Sequence, residues 1–221
     1  MFLGHFAVGF AAKRAAPRIS LGWLVAAPLL LDLLWPVFVL LGWERVSVVP
    51  GDTAFTPLRF DAYPITHSLL TAAGWAALFG AACWAACRDR RGAVVVALGV
   101  LSHWVCDAIV HRPDLPLYPG GPLVGLGVWN SVPATLVLEG TAFVTGAVIY
   151  TRTAGARRGA ARLAWGGLLV FLTASFLAAA FGPPPPSAAA VAVTALVAWI
   201  FPVWAWWLDR GRGAAPAGAV A

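Results

Sequence analysis

Three residues in one apolar run of the sequence have the types and the spacing of a metal site. His103, Asp107 and His111 follow one another at intervals of four within the run 92–111. On an α-helix this spacing places the three side chains on one face, within about 80° of arc. Imidazole and carboxylate groups are the ligands that zinc and related divalent ions prefer. The alternative is a polar stripe whose hydrogen bonds are satisfied by neighbouring helices.

Four further ionisable residues lie in or beside apolar runs. Asp32 stands in the middle of LLLDLLWP, Glu139 lies within a later run, His67 follows YPIT, and His5 lies in the short apolar segment 2–12. An ionisable side chain inside a membrane-spanning helix costs about 2.5–3.5 kcal/mol on insertion scales, so each is a candidate functional residue. Together they predict a site for a divalent metal, with zinc the favoured ion. The candidate ligands are His5, Asp32, His67, His103, Asp107 and His111, and Glu139 is a further candidate functional residue.

The composition indicates the kind of element that positions these residues. Of the 221 residues, 61% are hydrophobic and 11% are charged, whereas a soluble domain has about 45–50% and about 25%. This excess of apolar residues predicts an integral membrane protein. Its fold class is an all-α polytopic helical bundle with about six transmembrane helices, preceded by a short N-terminal half-helix. The six runs long enough to span a bilayer are 20–43, 68–87, 92–111, 132–151, 160–181 and 187–208.

The basic residues predict the orientation of the bundle. Most of the fifteen Lys and Arg residues cluster between alternate runs, whereas the long loops 44–67 and 112–131 carry few. Positive charge favours the cytoplasmic side, so both termini are expected in the cytoplasm and both long loops outside. We therefore expect a multi-pass protein of the bacterial cytoplasmic (inner) membrane, with the lipid bilayer as its surroundings and no nucleic-acid partner. Residues 1–212 are expected to form one membrane-embedded domain, and 213–221 a disordered tail.

Four segments of the first half resemble a known family. GHFAVGF, LLLDLLWP, YPITHSLL and LSHWVCDAIVH, within residues 4–111, resemble the bacterial inner-membrane metal-dependent hydrolase-like proteins described as LexA-binding, inner-membrane-associated hydrolases. That family is distantly similar to zinc-dependent phospholipase C and the P1-type nucleases. The resemblance implies a helical membrane protein with hydrolase chemistry.

The resemblance also implies where zinc would bind. The ligands would be Asp32, His67, His103 and Asp107 for one ion, His5, Asp107 and the Met1 amine for a second, and His111 with Glu139 for a third. The phospholipase-like relatives place a histidine four residues before the last acid, where this chain has Thr135. One ion, or two, is therefore expected rather than three.

These residues lead to a hydrolase hypothesis with two rivals. A zinc site with an open position activates water for attack on a phosphodiester or lipid-linked substrate. Asp32 is then a ligand or the catalytic base, and Arg112 and Asn130 of the long loop are candidate substrate-binding residues. The same buried residues would also serve a proton- or ion-relay transporter, or the helix packing of a non-enzymatic membrane subunit. The carboxylates argue against a haem protein.

Overall fold

The protein is predominantly helical, with a few short strands. The computed structural model describes residues 1–154 and 159–210, and the predicted tail 213–221 lies outside them. Six helical segments are long and apolar enough to cross a membrane, which confirms the predicted helical architecture and the number of such helices. They are Leu21–Leu40, Leu69–Cys87, Arg90–Val110, Val132–Ala154, Ala160–Phe181 and Ala188–Arg210.

The elements follow one another in a simple order along the chain. The helices are α1 Leu3–Ala15, α2 Leu21–Leu40, α3 Pro64–His67, α4 Leu69–Cys87, α5 Arg90–Val110, α6 Val132–Ala154, α7 Ala160–Phe181, α8 Ala188–Ala195 and α9 Ile200–Arg210. A 3₁₀ turn at Leu196–Trp199 joins α8 to α9, so that the two helices make one apolar segment. A second 3₁₀ turn, Val128–Asn130, precedes α6.

Several helices begin where the sequence supplies a capping side chain. Ser20, Ser68, Asp89 and Ser187 each accept a hydrogen bond from the backbone N–H three residues later, which satisfies a donor that the first helical turn leaves unpaired. Arg88 ends α4 in the left-handed conformation, with φ 54°. The chain therefore reverses between α4 and α5 within two residues.

Two small hairpins lie in the segments predicted to be irregular loops. Strand β1 Arg45–Val48 pairs antiparallel with β2 Leu58–Ala62, and β3 Leu115–Pro116 pairs with β4 Leu123–Val124. The all-α prediction omitted them, because strands of two to five residues carry too little pattern to be recognised. The end of the bundle that carries both hairpins is called the loop end below, and the opposite end the basic end.

Helix α1 is packed inside the bundle, as the predicted half-helix requires. Phe6 and Phe10 are fully buried, and α1 contacts α2, α5 and α6. A Cβ atom at Gly9 would lie 2.8 Å from the Leu24 carbonyl oxygen, and one at Gly146 would lie 2.5 Å from the Ala7 carbonyl oxygen. The two glycines thus allow the backbone of α1 to pack directly against α2 and α6.

A buried lysine joins three elements at the basic end. Lys13 Nζ donates to the Ile19 carbonyl and to Asp209 Oδ2, both at 2.6 Å, and the same carboxylate oxygen accepts the Leu21 N–H at 2.9 Å. These bonds hold the C-terminal end of α1 against the start of α2 and the end of α9. Helix α1 therefore extends from this contact towards the loop end.

The close contact between α1 and α6 can be tested with a matched pair of substitutions. Gly146→Ala places a Cβ against the Ala7 backbone, and overpacking of this kind costs about 1–3 kcal/mol. Gly140→Ala is the same change on the same helix, but its Cβ would meet nothing within 4 Å. We expect Gly146→Ala to lower the Tm of the detergent-purified protein by at least about 3 °C, and Gly140→Ala to leave it unchanged or higher. Equal Tm values would contradict this packing.

Candidate metal centre

Five of the predicted ligands meet in one cluster in the half of the bundle nearer the loop end. Helices α1, α2, α3 and α5 supply them. Among the described residues they form two overlapping groups that could hold a metal ion: His5, His103 and Asp107, and Asp32, His67 and His103. Within each group the ligand atoms lie within 4.8 Å of one another. The two groups share His103.

The distances within the cluster suit a small cation. His103 Nε2 lies 3.1 Å from His67 Nε2, 3.0 Å from Asp107 Oδ2 and 3.8 Å from Asp32 Oδ1. His67 Nε2 lies 3.4 Å from Asp32 Oδ1. Tetrahedral ligands about 2.0–2.1 Å from a zinc ion are about 3.3 Å from one another. The side chains are therefore separated as ligands of one ion would be.

Hydrogen bonds on the far side of each ring orient the histidines. His103 Nδ1 lies 2.7 Å from the Pro28 carbonyl oxygen, and His67 Nδ1 lies 2.6 Å from Thr66 Oγ1. Because a carbonyl only accepts, Nδ1 of His103 carries a hydrogen, and in the neutral ring the lone pair is therefore on Nε2. The Nε2 atom of His103 is thus directed at His67 as a potential metal ligand.

His5 joins the cluster through the buried half-helix. Its ring stacks on that of His103, with centroids 3.9 Å apart and planes 8° apart, and its Nε2 lies 3.1 Å from Asp107 Oδ1. Both His5 nitrogens are buried, and neither has an aligned hydrogen-bond partner within residues 1–154 and 159–210. An unpaired buried nitrogen is costly, and coordination of a metal ion would relieve that cost.

Asp107 is the carboxylate around which the other groups are arranged. Its Oδ1 accepts a hydrogen bond from the Met1 amine. Its Oδ2 faces His103 at 3.0 Å, and His67 and His111 each at 3.8 Å. A buried carboxylate of this kind requires positive charge nearby.

Asp32 is the accessible member of the cluster. Water can reach 42% of its side-chain surface, whereas the side chains of the other four cluster residues are at most 3% exposed. The carboxylate of Asp32 therefore borders a space large enough for water.

Glu139 lies next to the cluster but has a different structural task. Its Oε2 accepts the backbone N–H groups of Phe2 at 2.8 Å, Leu3 at 2.7 Å and Gly4 at 3.4 Å. Three donors at the start of α1 are thereby satisfied by a side chain from α6. The structure does not bring Glu139 into either of the two ligand groups.

His111 is close to the cluster and is fixed from the loop side. Its Nδ1 lies 3.0 Å from Asp114 Oδ1, and its ring packs on Trp129 with centroids 4.4 Å apart. Burial alone would raise the pKa of Asp114, but the hydrogen bonds from His111, Arg112 and Tyr63 keep that pKa below its ordinary value. His111 is outside both ligand groups, although its Nε2 points towards Asp107.

The two predicted substrate-binding residues are not directed into the cluster. Arg112 Nη1 donates to Asp52 Oδ1 at 2.9 Å, and its Nε donates to Asp114 Oδ2 at 3.1 Å. Asn130 is exposed and ends the 3₁₀ turn before α6. Arg112 thus supports the carboxylate that orients His111, and a contact of either residue with a substrate stays a prediction.

Sequence reasoning missed the groups that hold the histidines from outside. The Pro28 carbonyl, Thr66, Glu44 and Asp114 were not singled out. Asp114 follows His111 by three residues, so its spacing could have been noticed. Pro28 and Glu44 lie far from their partners in the sequence and become visible only in the fold.

No protein-family model, curated protein or solved structure matches the chain. The family resemblance therefore stays a prediction, and the site is interpreted from its own geometry.

The role of Glu139 can be tested by amide hydrogen exchange. Glu139→Ala leaves three N–H groups of α1 without their acceptor, and each unpaired buried group costs about 1–3 kcal/mol. We expect faster exchange across residues 1–15, measured by mass spectrometry, with the α4–α5 hairpin unchanged. Glu139→Gln keeps one acceptor oxygen and should lie between the wild type and Glu139→Ala. Unchanged exchange in α1 would show that other groups hold this helix.

Proposed function

We propose that the protein is a zinc-dependent hydrolase embedded in the bacterial cytoplasmic membrane, acting on a phosphodiester or lipid-linked substrate. One observation carries the proposal: the Nε2 atoms of His67 and His103 face each other at 3.1 Å beside the carboxylates of Asp32 and Asp107. Two facing lone pairs repel unless a proton or a cation lies between them. A divalent cation would relieve this repulsion, held by His67, His103 and Asp107 with Asp32 beside it.

The charge of the cluster supports a divalent ion. Asp32 and Asp107 bring two negative charges into a region lined by apolar helices, where uncompensated charge is costly. Arg112 is already bonded to Asp52 and Asp114, and Lys13 lies at the basic end. The Met1 amine pairs with Asp107, so Asp32 is the carboxylate whose positive partner a bound cation would supply.

The hydrogen bond to Pro28 favours one ion at His103 rather than two. His103 Nδ1 donates to the Pro28 carbonyl, so this histidine offers one nitrogen. Because both ligand groups contain that nitrogen, only one of them can be completed by a metal ion at a time. We propose His67, His103, Asp107 and Asp32 as its surroundings, with His5 as a further candidate ligand.

The chain's own residues have distinct tasks in the proposed reaction. Zinc, when bound, would polarise a phosphate ester and lower the pKa of water to about 7. Asp32, whose carboxylate borders the accessible space, accepts the proton of the attacking water as general base. His103 and His67 hold their lone pairs towards the site because their Nδ1 atoms are engaged elsewhere. Asp107 keeps its position through the Met1 amine and the surrounding histidines.

The position of the cluster suggests where the substrate enters. The positive-inside rule places the loop end outside the membrane and both termini in the cytoplasm. The cluster then lies in the outer half of the bilayer, within reach of lipid-linked substrates of the outer leaflet. This orientation is part of the proposal.

A transmembrane proton relay is the weaker alternative. Between the cluster and the basic end, the core around α1 consists of aromatic rings: Phe10 packs on Phe143, Tyr150 and Trp165 with centroid distances of 4.9–6.1 Å. Such packing leaves no evident chain of ionisable groups through the described part of the core. The polar cluster therefore has the form of a closed site rather than a path.

Metal content is the first test of the proposal. We expect about one zinc per chain in the detergent-purified wild type by elemental mass spectrometry, and a loss of most of it in His103→Ala and Asp107→Ala. Asp61→Ala is a matched control, since Asp61 is an exposed aspartate in β2, and it should retain the metal. A wild type that stays metal-free after incubation with zinc would overturn the hydrolase proposal and favour a structural role for the cluster.

The role of Asp32 is tested by activity at constant metal content. With bis(p-nitrophenyl) phosphate as probe, we expect Asp32→Asn to lower kcat by about 10²–10⁴-fold, the range for loss of a general base, with zinc still bound. Loss of zinc from Asp32→Asn would instead identify Asp32 as an essential ligand. Full activity with zinc bound would contradict its role as base.

A further inference from the structure

Glu44 is a buried carboxylate at the loop end, close to the cluster but not part of it. It is 1% exposed. Its Oε1 accepts the backbone N–H groups of Ile65 and Thr66, both at 2.8 Å, and its Oε2 accepts the Thr66 hydroxyl at 2.7 Å. The carboxylate therefore holds both the backbone and the side chain of α3, the short helix that ends at His67.

The hydrogen count in this chain of contacts fixes the tautomer of His67. The Thr66 hydroxyl donates its hydrogen to Oε2 of the Glu44 carboxylate. A threonine hydroxyl has one hydrogen. The 2.6 Å contact between Thr66 Oγ1 and His67 Nδ1 must then be donated by the histidine. His67 consequently keeps its lone pair on Nε2, which faces His103.

We infer that Glu44 and Thr66 are positioning residues that hold His67 in the tautomer and orientation needed to bind the metal. The inference rests on the proposed zinc site and adds two residues that position one of its ligands. A carboxylate that acts through a hydrogen bond fixes the orientation of a ligating imidazole and makes its free nitrogen a stronger electron-pair donor to the metal. His103, by contrast, donates to the neutral Pro28 carbonyl.

Glu44→Gln separates this role from simple capping of α3. The glutamine oxygen can still accept the two backbone N–H groups, but its NH₂ group must donate to Thr66 Oγ1. The threonine hydroxyl then donates to His67 Nδ1, and the histidine hydrogen moves to Nε2. The substitution thus keeps all four hydrogen bonds and reverses the two side-chain ones, between residue 44 and Thr66 and between Thr66 and His67. Thr66→Val removes the hydroxyl, and Thr66→Ser restores it.

The first readout is the His67 tautomer, which does not depend on metal. The chain has four histidines, so ¹⁵N-histidine NMR of the chelator-treated protein in detergent gives a spectrum simple enough to assign. In the metal-free protein a proton can lie between the facing Nε2 atoms of His67 and His103, so the readout is the hydrogen on Nδ1 of His67. We expect this hydrogen in the wild type and in Thr66→Ser, and its loss in Glu44→Gln. Asp89→Asn is the matched control, because it neutralises another carboxylate that caps a helix, at the basic end of α5 and away from the cluster, and it should leave His67 unchanged. An unchanged tautomer in Glu44→Gln would overturn the inference.

The second readout is zinc affinity, measured by competition with a chelating dye. Loss of an outer hydrogen-bond partner of a metal ligand typically lowers affinity by about 10–100-fold, and we expect this for Glu44→Gln and Thr66→Val, with Thr66→Ser within about threefold of the wild type. Wild-type affinity in all three variants would overturn the inference while leaving the zinc site intact. No zinc binding by the wild type would overturn the proposed function itself, and the tautomer measurement would still report on the Glu44–Thr66–His67 contacts.

Discussion

The start of α1 is the point on which the rest of the cluster depends. A helix that begins inside an apolar bundle exposes backbone N–H groups where water cannot pair them, and it presents the positive end of its dipole. Glu139 supplies both the acceptor atom and the negative charge. Gly146 has no side chain, so α6 can pack directly against the backbone of α1. With this helix in place, His5 stacks on His103 and the Met1 amine reaches Asp107.

The orientations of the histidine rings are set by elements that are far apart in the sequence. Pro28 of α2 holds His103, Thr66 of α3 holds His67, and Asp114 of the loop after α5 holds His111. Each contact engages Nδ1 and leaves Nε2 for the interior of the cluster. The small hairpins at the loop end therefore belong to the site as well as to the surface, since they lie in the segments that carry Thr66 and Asp114.

Sequence reasoning predicted the apolar helices and the members of the cluster, because both depend on local pattern. His103 and Asp107 are one helical turn apart, and a charge within an apolar run such as Asp32 is conspicuous. The same reasoning could not tell a ligand from a helix cap: Glu139 has the sequence signature of a ligand, but its Oε2 binds the backbone of α1. That distinction depends on which helices are neighbours, and Glu44 escaped notice for the same reason.

The arrangement of polar and apolar groups around the cluster limits how it can be reached. Aromatic packing around Phe10 closes the side towards the basic end, and the contacts that orient the histidines occupy the sides towards α3 and the loop end. Asp32 is the member of the cluster with an accessible side chain. It is also one helical turn beyond Pro28, whose carbonyl fixes His103. A single helix, α2, thus supplies both the accessible carboxylate and the contact that orients the central histidine. The rotation of that helix within the bundle therefore sets which side of the cluster is open.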